Sequence, residues 1–167
     1  MTEIKHNDPF DNWNIFWLAT TLLTVVALLI QLQIERTNFK ADSLITLSLG
    51  IPSVLMMFQY RQLRKNKVFV AWTIIGIFLF IVFLWIKLDS AIQLKGNKIA
   101  YLGLKSPIAF LSAYYIFRKI SLNFYGTELI LPSKYGRFDS EEGRDSNLLD
   151  FISMFSYWII IAVTCFN

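Results

Sequence analysis

The chain has 167 residues, 55% of them hydrophobic and 17% charged, with a net charge of +4. Soluble domains are less apolar and more charged. The basic residues lie between apolar runs rather than among interleaved aromatics, which argues against nucleic acid as a partner and points instead to lipid headgroups. A lone cysteine, Cys165, excludes a disulfide framework or a cysteine metal cluster and reads as a small packing residue.

In chain order, the N-terminal tail carries the only histidine, His6, beside Asp8 and Asp11, and reads as solvated. The first apolar run, Trp13–Ile34, has no charged residue and is near the roughly 20 residues that carry a helix across about 30 Å of hydrocarbon. It has neither a strongly basic leader nor a small-residue cleavage pattern, so it is expected to remain as an anchor. Thr20, Thr24, Ala27 and Gln31 fall on one of its faces. The second run, Leu44–Tyr60, aligns Thr46, Gly50 and Ser53, with Pro52 as a kink. Small and hydroxylated faces let membrane helices approach closely and hydrogen-bond. They read either as packing within the chain or as the lining of a conduit or homo-oligomer interface.

The connection Arg61–Lys67 holds Arg61, Arg64, Lys65 and Lys67 and is the strongest marker of a cytoplasmic loop. The third run, Val68–Ile86, has Trp72 and Trp85 about 20 Å apart along a helix. With Trp13 and Trp17 opening the first run, they read as interfacial aromatics. A turn is expected at Lys95-Gly96-Asn97-Lys98.

The fourth run, Ile99–Phe117, would make a helix of about 28 Å, but Lys105, Ser106 and Pro107 interrupt it. Ser106 as N-cap and Pro107 at the first helical position would leave a segment too short to span, and a re-entrant Pro107–Phe117 is the alternative. Charge decides between four and five spans. With five, ten basic residues lie inside (Lys5, the four of the Arg61–Lys67 loop, Arg118, Lys119, Lys134, Arg137 and Arg144) and six outside (Arg36, Lys40, Lys87, Lys95, Lys98 and Lys105). Four spans would place Arg118 to Arg144 outside, against the positive-inside rule. Only the first helix runs weakly contrary, with Lys5 inside against Arg36 and Lys40 outside.

Lys105, the one charge within a candidate span, would either attract anions in a pore or snorkel to the interface. The segment 118–147 opens as a helical continuation, breaks at Gly126, and carries an acidic cluster of Asp139, Glu141, Glu142 and Asp145. That cluster does not follow a calcium-loop pattern. The last run, Leu148–Phe166, begins with Asp150 and places Ser153, Ser156, Ile160 and Thr164 on one side.

The expected fold is an all-α integral membrane bundle of five helices, with four as the alternative, and one short cytoplasmic segment, 118–147. No hydrolase, P-loop or dinucleotide motif occurs, and the spans lack the ionisable residues that mark proton relays or active sites in membranes. Neither catalysis, a cofactor nor a metal is expected. The functional expectation is a multi-pass protein of a bacterial inner membrane, forming a homo-oligomeric, channel-like or membrane-perturbing complex such as a defence or conflict effector. The alternative is an immunity factor or accessory subunit that binds a membrane protein partner. The pore or helix-packing candidates are Thr20, Thr24, Gln31, Thr46, Gly50, Pro52, Ser53, Lys105, Ser153, Ser156 and Thr164.

Overall fold

The computed structural model describes residues 12–95, 100–130 and 146–166. His6, the 96–98 part of the expected turn and the acidic cluster at 139–145 lie outside them. Within the described residues the fold is all-helical: α1 (Asn12–Ile34), α2 (Asp42–Met57), α3 (Asn66–Leu88), α4 (Ser106–Tyr125) and α5 (Leu148–Phe166). Short 3₁₀ segments occupy Gln62–Arg64 and Ala100–Lys105. Two two-residue strands, β1 (Phe39–Lys40) and β2 (Leu94–Lys95), pair in parallel and tie the α1–α2 connection to the segment after α3.

Side-chain contacts fix the path. Asn14 meets Gln62, Trp17 stacks on Phe58 and Ser43 meets Gln31, so α1 and α2 are antiparallel. Tyr101 stacks on Phe83 and Tyr115 on Phe69, which runs the 3₁₀ segment and α4 back along α3. Tyr157 packs on Phe110 and Phe117, while Asp150 reaches Ile130, so α5 starts where α4 ends. The bundle therefore has a basic end, containing Arg61–Lys67, the end of α4 and the start of α5. Its opposite end carries the strands.

The three runs behind α1, α3 and α5 match their helices to within two residues at each end. α2 closes at Met57, short of the expected Tyr60, and Tyr60 instead buries its side chain below the basic loop. The fourth run differs most. It is not one helix over 99–117: Ala100–Lys105 is a 3₁₀ segment, and α4 begins at Ser106 and runs on through Arg118 to Tyr125. Pro107 sits in the first turn, where its missing N–H costs nothing. α4 stops at Gly126, whose φ of 65° is left-handed and whose N–H returns to the Leu122 carbonyl at 3.2 Å. Ser106 does not cap α4, since the capping position belongs to Lys105.

The Ser106 hydroxyl has another role. Pro52 lies inside α2 and has no N–H for the carbonyl of Ser48, one turn earlier. Ser106 Oγ donates to that carbonyl at 2.8 Å, and both residues are buried. The acceptor freed by the proline is thus filled from α4, and the kink of α2 is joined to the start of α4.

Leu44, Leu55, Leu63, Trp72, Leu79, Leu104, Phe110, Leu111, Tyr114 and Tyr157 fill the centre of the bundle. Trp72, expected at an interface, is part of this core, whereas Trp13 is exposed and Trp85 half-buried. Gly76 permits the close passage of α3 and α4, because a Cβ there would meet the backbone of Ile108 at 3.4 Å. Gly50, the expected close-packing glycine, would place a Cβ in open space.

Ser106→Ala should leave the Ser48 carbonyl buried without a donor and cost about 1–3 kcal/mol. In a Pro52→Ala background the helix regains its own N–H, and the same substitution should cost under about 1 kcal/mol. Denaturant unfolding of the four proteins in detergent measures the coupling. Equal costs in both backgrounds would contradict this role for Ser106.

Candidate functional site

Two of the faces singled out in the sequence come together. Thr20, Thr21 and Thr24 of α1 and Thr46, Gly50 and Val54 of α2 line a groove of about 180 Å³, with Trp17 at its basic end. Thr20, Thr24, Thr46 and Gly50 are exposed, whereas Pro52 is buried behind them and Ser53 is half-buried. The hydroxyls turn onto their own helices: Thr24 donates to the Thr20 carbonyl at 2.8 Å, Thr46 to Asp42 at 3.0 Å and Ser53 to Leu49 at 2.8 Å. The Thr24 and Thr46 donors are spent locally, and together with Thr20 and Thr21 the groove offers methyl groups, hydroxyls and the bare backbone at Gly50. Such a surface admits another helix closely.

The remaining candidates lie elsewhere. Gln31 is half-buried and accepts from Ser43 Oγ at 3.4 Å. Ser153 is buried and donates to the Asp150 carbonyl at 2.8 Å, Ser156 is half-buried, and Thr164 donates to Ile160 at 2.7 Å. Lys105 is half-buried at the junction between the 3₁₀ segment and α4. None of these shares the α1–α2 groove.

The basic end holds a polar assembly that the sequence did not disclose. Asp150 is fully buried, and its carboxylate accepts the backbone N–H of Asn147 at 2.9 Å and of Ile130 at 3.1 Å. Asn147 Oδ1 in turn accepts the Asp150 N–H at 2.9 Å, a reciprocal cap at the start of α5. A single carboxylate therefore clasps both ends of the 131–146 segment. Arg64 donates to the Leu129 carbonyl at 2.6 Å, and Ser121 to Thr127 at 2.8 Å. Arg118 grips Glu128 with two bonds of 2.9 and 2.7 Å, and this partner raises the guanidinium further above its ordinary pKa. These contacts anchor a loop. Both Asp150 oxygens already accept backbone donors, which suits a structural carboxylate rather than a general base.

At the strand end, Arg36 pairs with Asp89 Oδ2, while Asp89 Oδ1 accepts the Ala91 N–H at 2.9 Å. The Ala91 bond first, and Arg36 second, lower the Asp89 carboxyl below its ordinary pKa. Gln93 N–H to the Arg36 carbonyl at 3.0 Å and Ala41 N–H to Lys95 at 3.1 Å complete the tie. These bonds frame an open cleft of about 520 Å³ that includes Lys87, Asp89, Lys95 and Tyr101. Among the described residues, no three His, Cys, Asp or Glu side chains gather as metal ligands would. No protein-family model matches the chain, and neither curated proteins nor solved structures provide a match.

A depressed Asp89 pKa means that the contribution of the Arg36–Asp89 tie is complete above the ordinary carboxylate range, near about pH 4. It is lost as pH falls through the lower folded value. Wild-type protein should therefore melt above the Asp89→Asn variant at pH 7, with the gap closing as pH drops below about 4. Thermal unfolding in detergent over that range checks this, and a gap independent of pH would contradict it.

Proposed function

We propose that the chain is a non-catalytic, multi-pass membrane protein that acts by lateral association within the bilayer. The observation that carries this reading is the outer surface of the bundle. α1 and α3 are long and apolar enough to cross a membrane, yet their most apolar stretches are only 22% and 33% buried. A core helix of a soluble protein hides such a surface, and an aqueous monomer does not sustain patches of this extent. Leu23, Ile74, Phe155 and Ile159 are among the large apolar side chains facing outward on α1, α3 and α5. The polar side chains Gln59, Ser106, Asp150 and Ser153 point inward.

A five-pass arrangement is compatible with the fourth segment as folded. Six residues of 3₁₀ helix advance about 12 Å, and Ser106 to Phe117 advances about 18 Å. Together they reach about 30 Å, the thickness of the hydrocarbon layer. The 3₁₀ backbone is sheltered against α2, α3 and α5, as irregular backbone at membrane depth must be. The positive-inside rule then assigns the basic end to the cytoplasm, in keeping with a bacterial inner-membrane protein.

Within this reading the α1–α2 groove is the surface of association. The centre of a single copy is filled by Trp72, Phe110, Tyr114 and Tyr157, so a conduit would be built between copies, with the threonine face of the groove at the contact. The favoured function is thus a homo-oligomeric, channel-like or membrane-perturbing complex, of the kind used by effectors of bacterial conflict and defence. The same filled interior supports the second reading, an immunity factor or accessory subunit whose groove receives a helix of another membrane protein.

Gly50→Leu separates packing within a copy from packing between copies. Its Cβ meets nothing within 4 Å, so the monomer should lose no stability and, leucine being the better helix former, should gain up to about 1 kcal/mol. The detergent-extracted assembly should nevertheless fall apart, and ion flux in liposomes should be lost. A wild-type protein that stays monomeric and passes no ions would refute the homo-oligomer and leave partner binding as the working reading.

A further inference from the structure

The strand-end cleft has a composition that the tie around it does not explain. Lys87 lies in the last turn of α3, Lys95 ends β2, and both are exposed. Neither ammonium makes a hydrogen bond or ion pair among the described residues. The one carboxylate in the lining, Asp89, is already engaged by Arg36 and the Ala91 N–H. With Arg36 and Asp89 cancelling each other, the two lysines leave the cleft with a net charge of +2. Asn38 and Gln93 add amide donors at the rim, and Ile86, Leu94 and Tyr101 give an apolar wall.

The cleft is also built rather than incidental. The β1–β2 pairing, the Gln93 to Arg36 bond and the Ala41 to Lys95 bond hold its walls to one another. Its volume of about 520 Å³ falls within the range of small-ligand sites, roughly 300–1,000 Å³. Cations and amide donors above an apolar wall match a phosphate group esterified to an apolar body. A free metal cation finds no vacant carboxylate here, and a wholly apolar ligand would leave two ammonium groups to be desolvated.

We propose that this cleft binds the phosphate headgroup of an anionic phospholipid, with Lys87 and Lys95 on the phosphate and the wall formed by Ile86, Leu94 and Tyr101 against the glycerol and upper acyl chain. The lipid as source rests on the membrane reading above, in which this end of the bundle lies at headgroup level. The phosphate chemistry rests on the cleft alone.

Protein purified in a neutral detergent is titrated with phosphatidylglycerol, phosphatidylcholine and inorganic phosphate, and bound species are counted by native mass spectrometry. Wild type should prefer phosphatidylglycerol over phosphatidylcholine. Lys87→Gln and Lys95→Gln should each weaken that preference about fivefold, and the double variant should abolish it, while the control Lys67→Gln, exposed at the opposite end of the bundle, leaves it intact. Unchanged thermal unfolding shows that the variants are folded. If inorganic phosphate displaces the lipid at equal concentration in wild type but does not bind the double variant, the phosphate site stands and the lipid source is overturned. Phosphatidylglycerol preference that survives in the double variant overturns the site itself. Carbonate washing of membranes reports on the other reading: release of the protein would defeat the membrane assignment without touching the phosphate arm.

Discussion

A missing hydrogen bond organises this molecule. Pro52 cannot donate to the Ser48 carbonyl, and an unpaired carbonyl in so apolar an interior carries a penalty that water cannot relieve. The Ser106 hydroxyl fills the vacancy from the first residue of α4. That contact fixes where α4 can start, and the residues before it must reach Ser106 from the strand end. They do so as a tighter, longer-rising 3₁₀ segment wedged among α2, α3 and α5. Gly76 then lets α4 pass close to α3, and the Phe110–Tyr157 contact seats α5 on the result.

The two ends of the bundle are held by different chemistry. At the strand end, backbone bonds and one half-buried ion pair cross-link two connections, leaving unpaired lysines around a cleft. At the basic end, a buried carboxylate bonds the Ile130 and Asn147 N–H groups, and Arg118 holds Glu128 with two bonds. Buried charge requires such full pairing, whereas exposed lysines remain available to ligands. This contrast is why the strand end, not the more polar basic end, is assigned a binding role.

Much of the fold was legible because apolar runs of near-span length betray helices whatever solvent surrounds them. The stop at Gly126 was readable from glycine alone. The fourth segment was legible only in part: Ser106 and Pro107 carry a local signal for a helix start, and α4 begins there, but the 3₁₀ turn before it leaves no pattern and the carbonyl that Ser106 serves lies 58 residues away. The β1–β2 tie is too short to leave an alternating pattern. Of the site candidates, Thr20, Thr24, Thr46 and Gly50 line one groove, a meeting of two helix faces that spacing within each run does not reveal, whereas Ser153 and Thr164 lie on α5, away from it. Asp150 stands in the sequence only as the charge at the start of the last apolar run, since its second donor, the Ile130 N–H, is supplied by tertiary structure.

The central claim is that the 3₁₀ segment and the first half of α4 together make one pass through a bilayer. Single-cysteine labelling at Ser90 and Ser146, both exposed, in a Cys165→Ser background tests it directly in intact cells and inverted vesicles. Ser90 is expected to react only from outside and Ser146 only from the cytoplasmic face. Labelling of both positions from the same face would contradict it.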